Sequence, residues 1–360
     1  MQPEQHSETS KSSIDMRKSL YLMACLALFS LTAVAQNGRV GMYAIGFYNL
    51  ENLFDTQHDV NKNDYEYLPD GANKWTQMKY QQKLKNMAQV LGEMGTDRIR
   101  TGCAIIGVSE VENARCLTDL CAQGALGRRG FKFCHIEGPD NRGVDCGLLY
   151  NPQFFKPAKV WLQPYVLKDR DARPTRGFLS VQGTLAGDSI TVIVCHWPSR
   201  FSGAPARNWA GEQVKAEKDS ILRKNPRMKI LVMGDMNDDP FSPSMARYLG
   251  ARRKMADVKA VTDMYNPWWQ ILLDGKGTLR YDGKWNLFDQ IVMTQNCITG
   301  VPNKNYSSLT FYKAEIFKRD YLLQESGKYK GNPKRTHASG VWMNGYSDHL
   351  PVVTYFVRNM

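Results

Sequence analysis

The segment Ile230-Leu231-Val232-Met233-Gly234-Asp235-Met236-Asn237-Asp238-Asp239-Pro240 sets a short apolar run directly against a glycine, an acid and an amide. Gly234 lets the backbone turn tightly, and two-residue alternation predicts that Asp235 and Asn237 project the same way from a strand end. A carboxylate placed there can hold and deprotonate a water, while the neighbouring amide fixes the oxygen of the group that water attacks. A calcium loop competes with this reading, but the liganding pattern and distal bidentate Glu of an EF-hand are missing.

Other clusters have the same form. Phe47-Tyr48-Asn49-Leu50-Glu51-Asn52 offers an amide and a carboxylate two residues apart, and Glu110 closes the run Ile105-Ile106-Gly107-Val108-Ser109, with Glu112 two residues on. Carboxylates of this kind bind hard cations, and an acid ending an apolar strand is costly unless solvated, paired or metal-bound. Cys195-His196-Trp197-Pro198-Ser199-Arg200 delivers an imidazole and then a guanidinium, a pair able to donate to a phosphate oxygen and to neutralise its charge. Leu287-Phe288-Asp289-Gln290 buries an acid at a strand start, and Ser347-Asp348-His349-Leu350-Pro351 sets a histidine beside another. An Asp bonded to that His would keep the imidazole protonated and aimed. Each cluster alone has a bland explanation, such as a capped turn or a structural histidine. The ordered set at successive strand ends does not.

That set, with its G-D-x-N and S-D-H-x-P motifs, resembles the endonuclease/exonuclease/phosphatase superfamily over about Tyr43 to Phe356. H-W-P-S-R and N-L-E-N-L-F-D resemble its secreted bacterial branch. The resemblance implies a deoxyribonuclease-like four-layer α/β sandwich, two packed mixed β-sheets flanked by helices. It also implies metal-assisted attack of water on a phosphate ester. Glu110 is then the principal metal ligand, with Glu51 and Asp348 near the ion, and Asp235 orients or activates the water. Asn49 and Asn237 position the phosphate and that acid, and Asp289 pairs with His349, which stabilises developing charge. His196 matches a second histidine of the deoxyribonuclease and sphingomyelinase members, where abasic-site endonucleases carry Tyr, and this counts against DNA repair. Asp145 is its expected partner. Mg2+ is the expected ion, with Mn2+ or Ca2+ as alternatives, because sites that share an ion with substrate phosphate suit magnesium.

Strands must carry these groups. Tyr43–Tyr48, Ala104–Val108, Gly147–Tyr150, Ile190–Cys195, Ile230–Met233, Phe288–Met293 and Val352–Val357 read as buried strands. Tyr80, Leu84, Met87, Ala88 and Leu91 share a helical face, and a second helix is expected from near Pro205 to about Lys224. The stretches 51–76, 256–286 and 300–347 are too long for tight connections and are expected to carry function.

In a chain of 360 residues with 42% hydrophobic residues a sizeable core is expected and disorder is not. No repeat or linker divides it, so one catalytic domain is expected over 36–360, a common size for a single α/β unit. Met16-Arg17-Lys18 followed by Leu20–Ala35 reads as a signal peptide preceded by an over-called start at 1–15. Export to the periplasm or beyond follows, with a lipoprotein second and no stable membrane insertion. The seven later cysteines show no zinc or redox spacing and suit the core. The net charge of +12 survives removal of 1–35 and favours polyanions, although plain solubility explains it equally well. Nucleic acid is the first substrate expectation, with Arg142, Arg200, Arg176 and Arg280 to grip phosphates and Trp268, Trp269 and Trp285 to stack on bases. A small phosphate ester, such as a sugar phosphate, inositol phosphate or lipid head group, is the alternative. A non-catalytic binding protein on the same scaffold is the third, and a monomer is expected throughout.

Overall fold

Alternation of apolar residues builds the strands, and the computed structural model describes residues 39–168, 174–338 and 340–360. The expected export segment lies outside the described residues. One sheet has six strands in the spatial order Thr310–Ile316, Val352–Asn359, Val40–Leu53, Cys103–Val111, Asp145–Tyr150 and Lys132–His135. The other has seven, in the order Phe155–Gln163, Phe178–Leu185, Asp188–His196, Lys229–Asp235, Asp289–Thr294, Met264–Tyr265 and Ala251–Arg252. Both are mixed. Val40–Leu53 runs parallel to Cys103–Val111, and Asp188–His196 parallel to Lys229–Asp235, with antiparallel strands on either side.

The two sheets pack face to face. Ile45, Phe47, Ile105 and Leu148 of the first share a buried cluster with Val192, Val194, Leu231 and Met233 of the second. Each such side chain taken from water stabilises the fold by about 1.5–3 kcal/mol. The intervening residues of the first sheet face the other way: Ala44, Tyr48, Ile106 and Val108 pack with Tyr80, Leu84, Met87 and Leu91 of the helix Gln77–Glu93. Thr76 caps that helix by accepting from Lys79 N–H. The helix Gly203–Lys224 buries Ala210, Val214 and Leu222 into the core of the seven-stranded sheet. It starts at Gly203, so Pro205 lies in its first turn, where the missing N–H has no helical partner to lose. The result is four layers, helix, sheet, sheet, helix, of the deoxyribonuclease type. Val40–Asn359 forms one unit.

Gly234 has a different reason from the turn its sequence suggests. It lies inside the strand Lys229–Asp235, opposite Cys195, and a Cβ there would stand 2.1 Å from the Cys195 carbonyl oxygen. Close approach of two backbones is what requires glycine. All seven described cysteines are free and buried. No helix among the described residues is long and apolar enough to cross a membrane.

Candidate active site

Strand register gathers the polar residues. In the seven-stranded sheet, His196 pairs with Asp235 and Asp235 with Asp289, so three neighbouring strands present them side by side at one end. In the six-stranded sheet, Asn49 pairs with Ser109, next to Glu110, and Phe47 pairs with Val352, just after His349. Because the sheets stack, both sets meet at one cleft, as the strand ends of α/β sheets generally allow.

Alternation stops at the cleft. The pairing shifts between Asn49 and Leu53 and between Ser109 and Val111, and Glu51, Asn52 and Glu110 adopt positive φ of 47°, 57° and 60°. Asn237 follows Asp235 with φ 50°. For residues other than glycine each such conformation costs on the order of 1–3 kcal/mol, and bulges of this kind re-aim side chains beside active sites.

Asn49 Nδ2 donates to Asp235 Oδ2 at 3.0 Å and to Glu110 Oε1 at 3.4 Å, while its Oδ1 accepts from Glu51 N–H. One amide thus ties an acid from each sheet. Asn237 N–H donates to Asp235 Oδ1 at 2.9 Å, and Asn237 Nδ2 to the Trp197 carbonyl. His349 Nδ1 lies 2.7 Å from Asp289 Oδ2, and its Nε2 points toward Asp235 Oδ2 at 3.8 Å. Ser347 Oγ anchors this segment by donating to the Asn49 carbonyl. His196 Nε2 is 3.6 Å from both Glu110 Oε1 and Asp235 Oδ2.

The two histidines differ in charge. For His349, burial works against the proton, but the carboxylates of Asp289 and Asp235 outweigh it and hold the imidazole charged well above its ordinary range. For His196, burial and then Arg176 and Arg142 drive the imidazole well below that range, so it is neutral at pH 7. Burial pushes Asp235 up to about 7, opposed by His349 and reinforced by Asp289 and Glu110. Burial and then Asp348 push Glu51 up to about 7, and burial and its acidic neighbours push Glu112 up to about 8.

These acids gain protons on folding, which fixes the sign of a pH dependence. A carboxyl whose pKa is raised in the folded state supports stability below its unfolded value, near pH 4, and loses that support as pH rises through the folded value. His196, held neutral, works the other way as pH rises past the ordinary imidazole range, but His349 acts with the three acids and together they outweigh it, so metal-free protein kept in chelator is expected to melt at falling temperature as pH is raised from about 5 to about 8. A melting temperature that holds level or climbs across that window, read by circular dichroism, contradicts the assignment.

The expected partner of His196 is corrected. Asp145 accepts from Gly138 N–H at 3.0 Å and sits 3.3 Å from His135 Nε2 instead. It starts an antiparallel strand two places from the Asn49 strand and faces the 135–138 turn, a geometry that sequence spacing does not encode. Arg176 is buried rather than free to grip substrate: it donates to the carbonyls of His196 and Trp197 and pairs with Asp140 at 3.0 Å. Trp268 is likewise fully buried, its N–H given to the Ile291 carbonyl. Arg142 lines the cleft, about half exposed. Arg200 stands at the rim, paired with Asp239 at 2.9 Å and stacked 4.3 Å over Phe288, itself a cleft residue.

Two cations at the site gave no sequence signal. Arg335 contacts Glu51 and Asp348, and the fully buried Lys83 lies beneath the same segment, donating to Thr336 Oγ1 and the Tyr346 carbonyl. Lys83 sits on the apolar-periodic helix Gln77–Glu93, where a lysine reads as solvent-facing, and Arg335 in a stretch without periodicity. Asn86, one turn on, donates to the Gly345 carbonyl.

Acidic groups here can hold a divalent ion. Glu110 lines the cleft with its side chain 15% exposed, and among the described residues its oxygens accept from Asn49 Nδ2 and Asn52 N–H, which leaves further lone pairs for an ion. An all-oxygen donor set suits a hard cation. Donor atoms of Asp235, Asp289 and His349 also lie within 4.8 Å of one another, as do those of Asp55, Glu112 and Cys116 behind the site. In the first group the short Asp289–His349 contact already uses Nδ1, and in the second Arg115 already neutralises Asp55 at 2.6 Å.

Solved structures with this fold include an endonuclease/exonuclease/phosphatase family protein from Bacteroides thetaiotaomicron, with 14% identity, TM-score 0.54, and coverage of 90% of this chain and 98% of that one. A mannosyl-6-phosphatase from the same organism gives 15% identity, TM-score 0.52, and coverage of 87% and 99%. D. rerio TDP2 complexed with single-strand DNA product gives 12% identity, TM-score 0.51, and coverage of 88% and 99%. No curated protein matches the sequence. The sequence model of one family matches residues 44–358, spanning both sheets and every polar group of the cleft. The chain belongs to the endonuclease/exonuclease/phosphatase family, whose members are phosphoesterases.

Proposed function

We propose that the protein is an exported, divalent-metal-dependent nuclease that hydrolyses phosphodiester bonds of DNA or RNA by attack of water. The observation that carries this reading is the meeting of Glu110, Asp235, His196 and His349 on the wall of one cleft of about 800 Å³ that adjoins a second groove. The second groove, of about 830 Å³, shares Leu279 and Asp348 with the first. Arg280, Lys328 and Lys330 line it, and the rings of Tyr281 and Tyr329 are exposed there. Cations spaced along a trough with open rings suit a strand that continues past the scissile phosphate. A phosphomonoester needs no such extension.

Glu110 would hold the ion, with Glu51 and Asp348 beside it, and Mg2+ is the preferred metal. Bound there, it would neutralise phosphate charge and stabilise the leaving oxygen. Asp235, with a pKa near 7, accepts the proton of the attacking water, held in place by Asn49 and Asn237. His349, charged and aimed by Asp289, donates to a nonbridging oxygen as negative charge builds on it. Neutral His196 donates from the other side, and Arg142 gives long-range attraction. The catalytic domain corresponds to residues 36–360, acting as a monomer after removal of an export segment, as in the secreted bacterial branch.

A small phosphate ester is the second reading. Its support is the far end of the cleft, where Tyr165, Leu167 and Trp209 form an apolar wall and Lys168 Nζ lies 4.4 Å over the Trp209 ring. A compact ring-bearing group would fill that end. Purified protein with Mg2+ is expected to degrade plasmid DNA or RNA, with affinity falling steeply between about 50 and 200 mM salt. Hydrolysis of a sugar phosphate with intact plasmid DNA and RNA would overturn the nuclease reading in favour of the second. Absence of any metal-dependent hydrolysis would favour a binding protein.

A further inference from the structure

Two of the three carboxylates assigned to the ion are already held by a cation of the chain itself. Arg335 Nε donates to Glu51 Oε1 at 2.8 Å, and Arg335 Nη2 donates to Asp348 Oδ2 at 3.0 Å. The other Glu51 oxygen accepts from Thr336 N–H at 2.6 Å. Each oxygen of Glu51 therefore already has a donor from the chain, and the residue is only 5% exposed. Glu110 differs. Its carboxylate has no arginine or lysine at ion-pair distance among the described residues, only the neutral His196 at 3.6 Å.

The position of Arg335 is built, not incidental. Tyr346 N–H donates to the Lys334 carbonyl and Met343 N–H to that of Thr336, tying residues 334–336 to residues 343–346. Lys83 Nζ then pins both sides of that closure from below, and Asn86 holds Gly345. Five hydrogen bonds therefore hold the residues beside Arg335 in place. Glu51 and Asp348 carry like charge on either side of one guanidinium, and a cation that bridges them offsets their repulsion. A second divalent ion would relieve it too, and paired carboxylates flanking a phosphate site are where such an ion binds. Only one of the two cations fits.

We infer that Arg335 occupies the second cation position of this site, so that the chain binds a single divalent ion, at Glu110. The inference rests on the reading that a divalent ion serves at Glu110. Half of the Arg335 side chain remains exposed, on the wall of the second groove, so the guanidinium also offers N–H donors to a phosphate oxygen lying there. Unlike a metal ion it has no open coordination position and cannot activate water. The Glu51 and Asp348 side then supplies no water-activating ion.

The test counts ions rather than turnover. Chelator-stripped protein is titrated with Mn2+ by calorimetry, and free Mn2+ is followed in parallel by its electron paramagnetic resonance signal. Wild type is expected to bind about one ion per chain, and Arg335→Gln and Arg335→Met about two, as for paired-metal sites. Adding Glu51→Gln to either variant is expected to return the count to about one, and Glu110→Gln in wild type to remove the single ion. Arg335→Gln keeps an N–H donor for Glu51, and circular dichroism shows that the variant titrated is folded. Two ions in wild type, or one in both Arg335 variants at unchanged affinity, would overturn the inference while leaving a metal enzyme in place. No ion in wild type would overturn the metal reading as well.

Discussion

Glu110→Gln is expected to abolish metal-dependent hydrolysis, with a loss of at least about 10³-fold, at the upper end of what a single electrostatic group supplies. Glutamine keeps the shape and still accepts from Asn52 N–H, but it removes the charge that an ion needs. The fold should hardly notice. Among the described residues Glu110 makes no arginine or lysine ion pair, and it stands near Asp235 in a cluster of like charges and is partly exposed, so stability should stay within about 1 kcal/mol of wild type. The positive φ of Glu110 argues against reading Glu110→Ala alone, because alanine changes the strain at the bulge as well as the charge. Phosphodiester turnover with Mg2+, set beside a thermal melt, decides the matter: a folded Glu110→Gln variant with wild-type turnover removes Glu110 from the site.

Asp235→Asn and His349→Ala should each lower kcat by at least ~10², the range for acid–base and electrostatic groups. The two contributions are not independent. His349 lies 3.8 Å from Asp235 and is the main influence holding the Asp235 pKa down against burial, so losing His349 also leaves Asp235 more protonated. The double variant is therefore expected to lose much less than the product of the single losses, as groups that act as a unit do. Stability should move the opposite way in one of them. Asp235 is buried beside Asp289 and Glu110, and replacing that carboxylate by an amide removes a charge the fold disfavours near neutral pH. Asp235→Asn should melt no lower than wild type at pH 8, whereas His349→Ala leaves Asp289 without its partner and should melt lower. Near-normal turnover in either single variant would refute its role, and full additivity in the double would refute the coupling.

These expectations depend on groups drawn from distant parts of the chain, and the two sources of information divide over them unevenly. Asn49, Glu110, His196, Asp235, Asp289 and His349 were legible because each follows or starts an apolar run, and the strand ends that such runs predict do converge here. Glu51, Asp348 and Arg142 were legible by type and position, but not by what already contacts them. The resemblance makes Asp145 the partner of His196, but its neighbours in the fold are the His135 ring and the Gly138 N–H, because a family pattern carried along the chain does not fix which turn a strand-start acid faces.

The sequence by itself determined the strands, the two main helices, the family resemblance and the order of polar residues along the chain. Periodicity and short motifs are local properties, and local properties survive in one dimension. Only the tertiary structure decided that His349 is charged and His196 neutral, since burial and neighbouring charges set those states. It also decided that a glycine is needed where two backbones nearly touch, and that Arg335 and Lys83 stand beside the carboxylates. Contacts between residues some 250 or more positions apart, such as Lys83 with Thr336 and Glu51 with Arg335, follow from how sheets and loops pack in three dimensions, and no spacing along the chain records them.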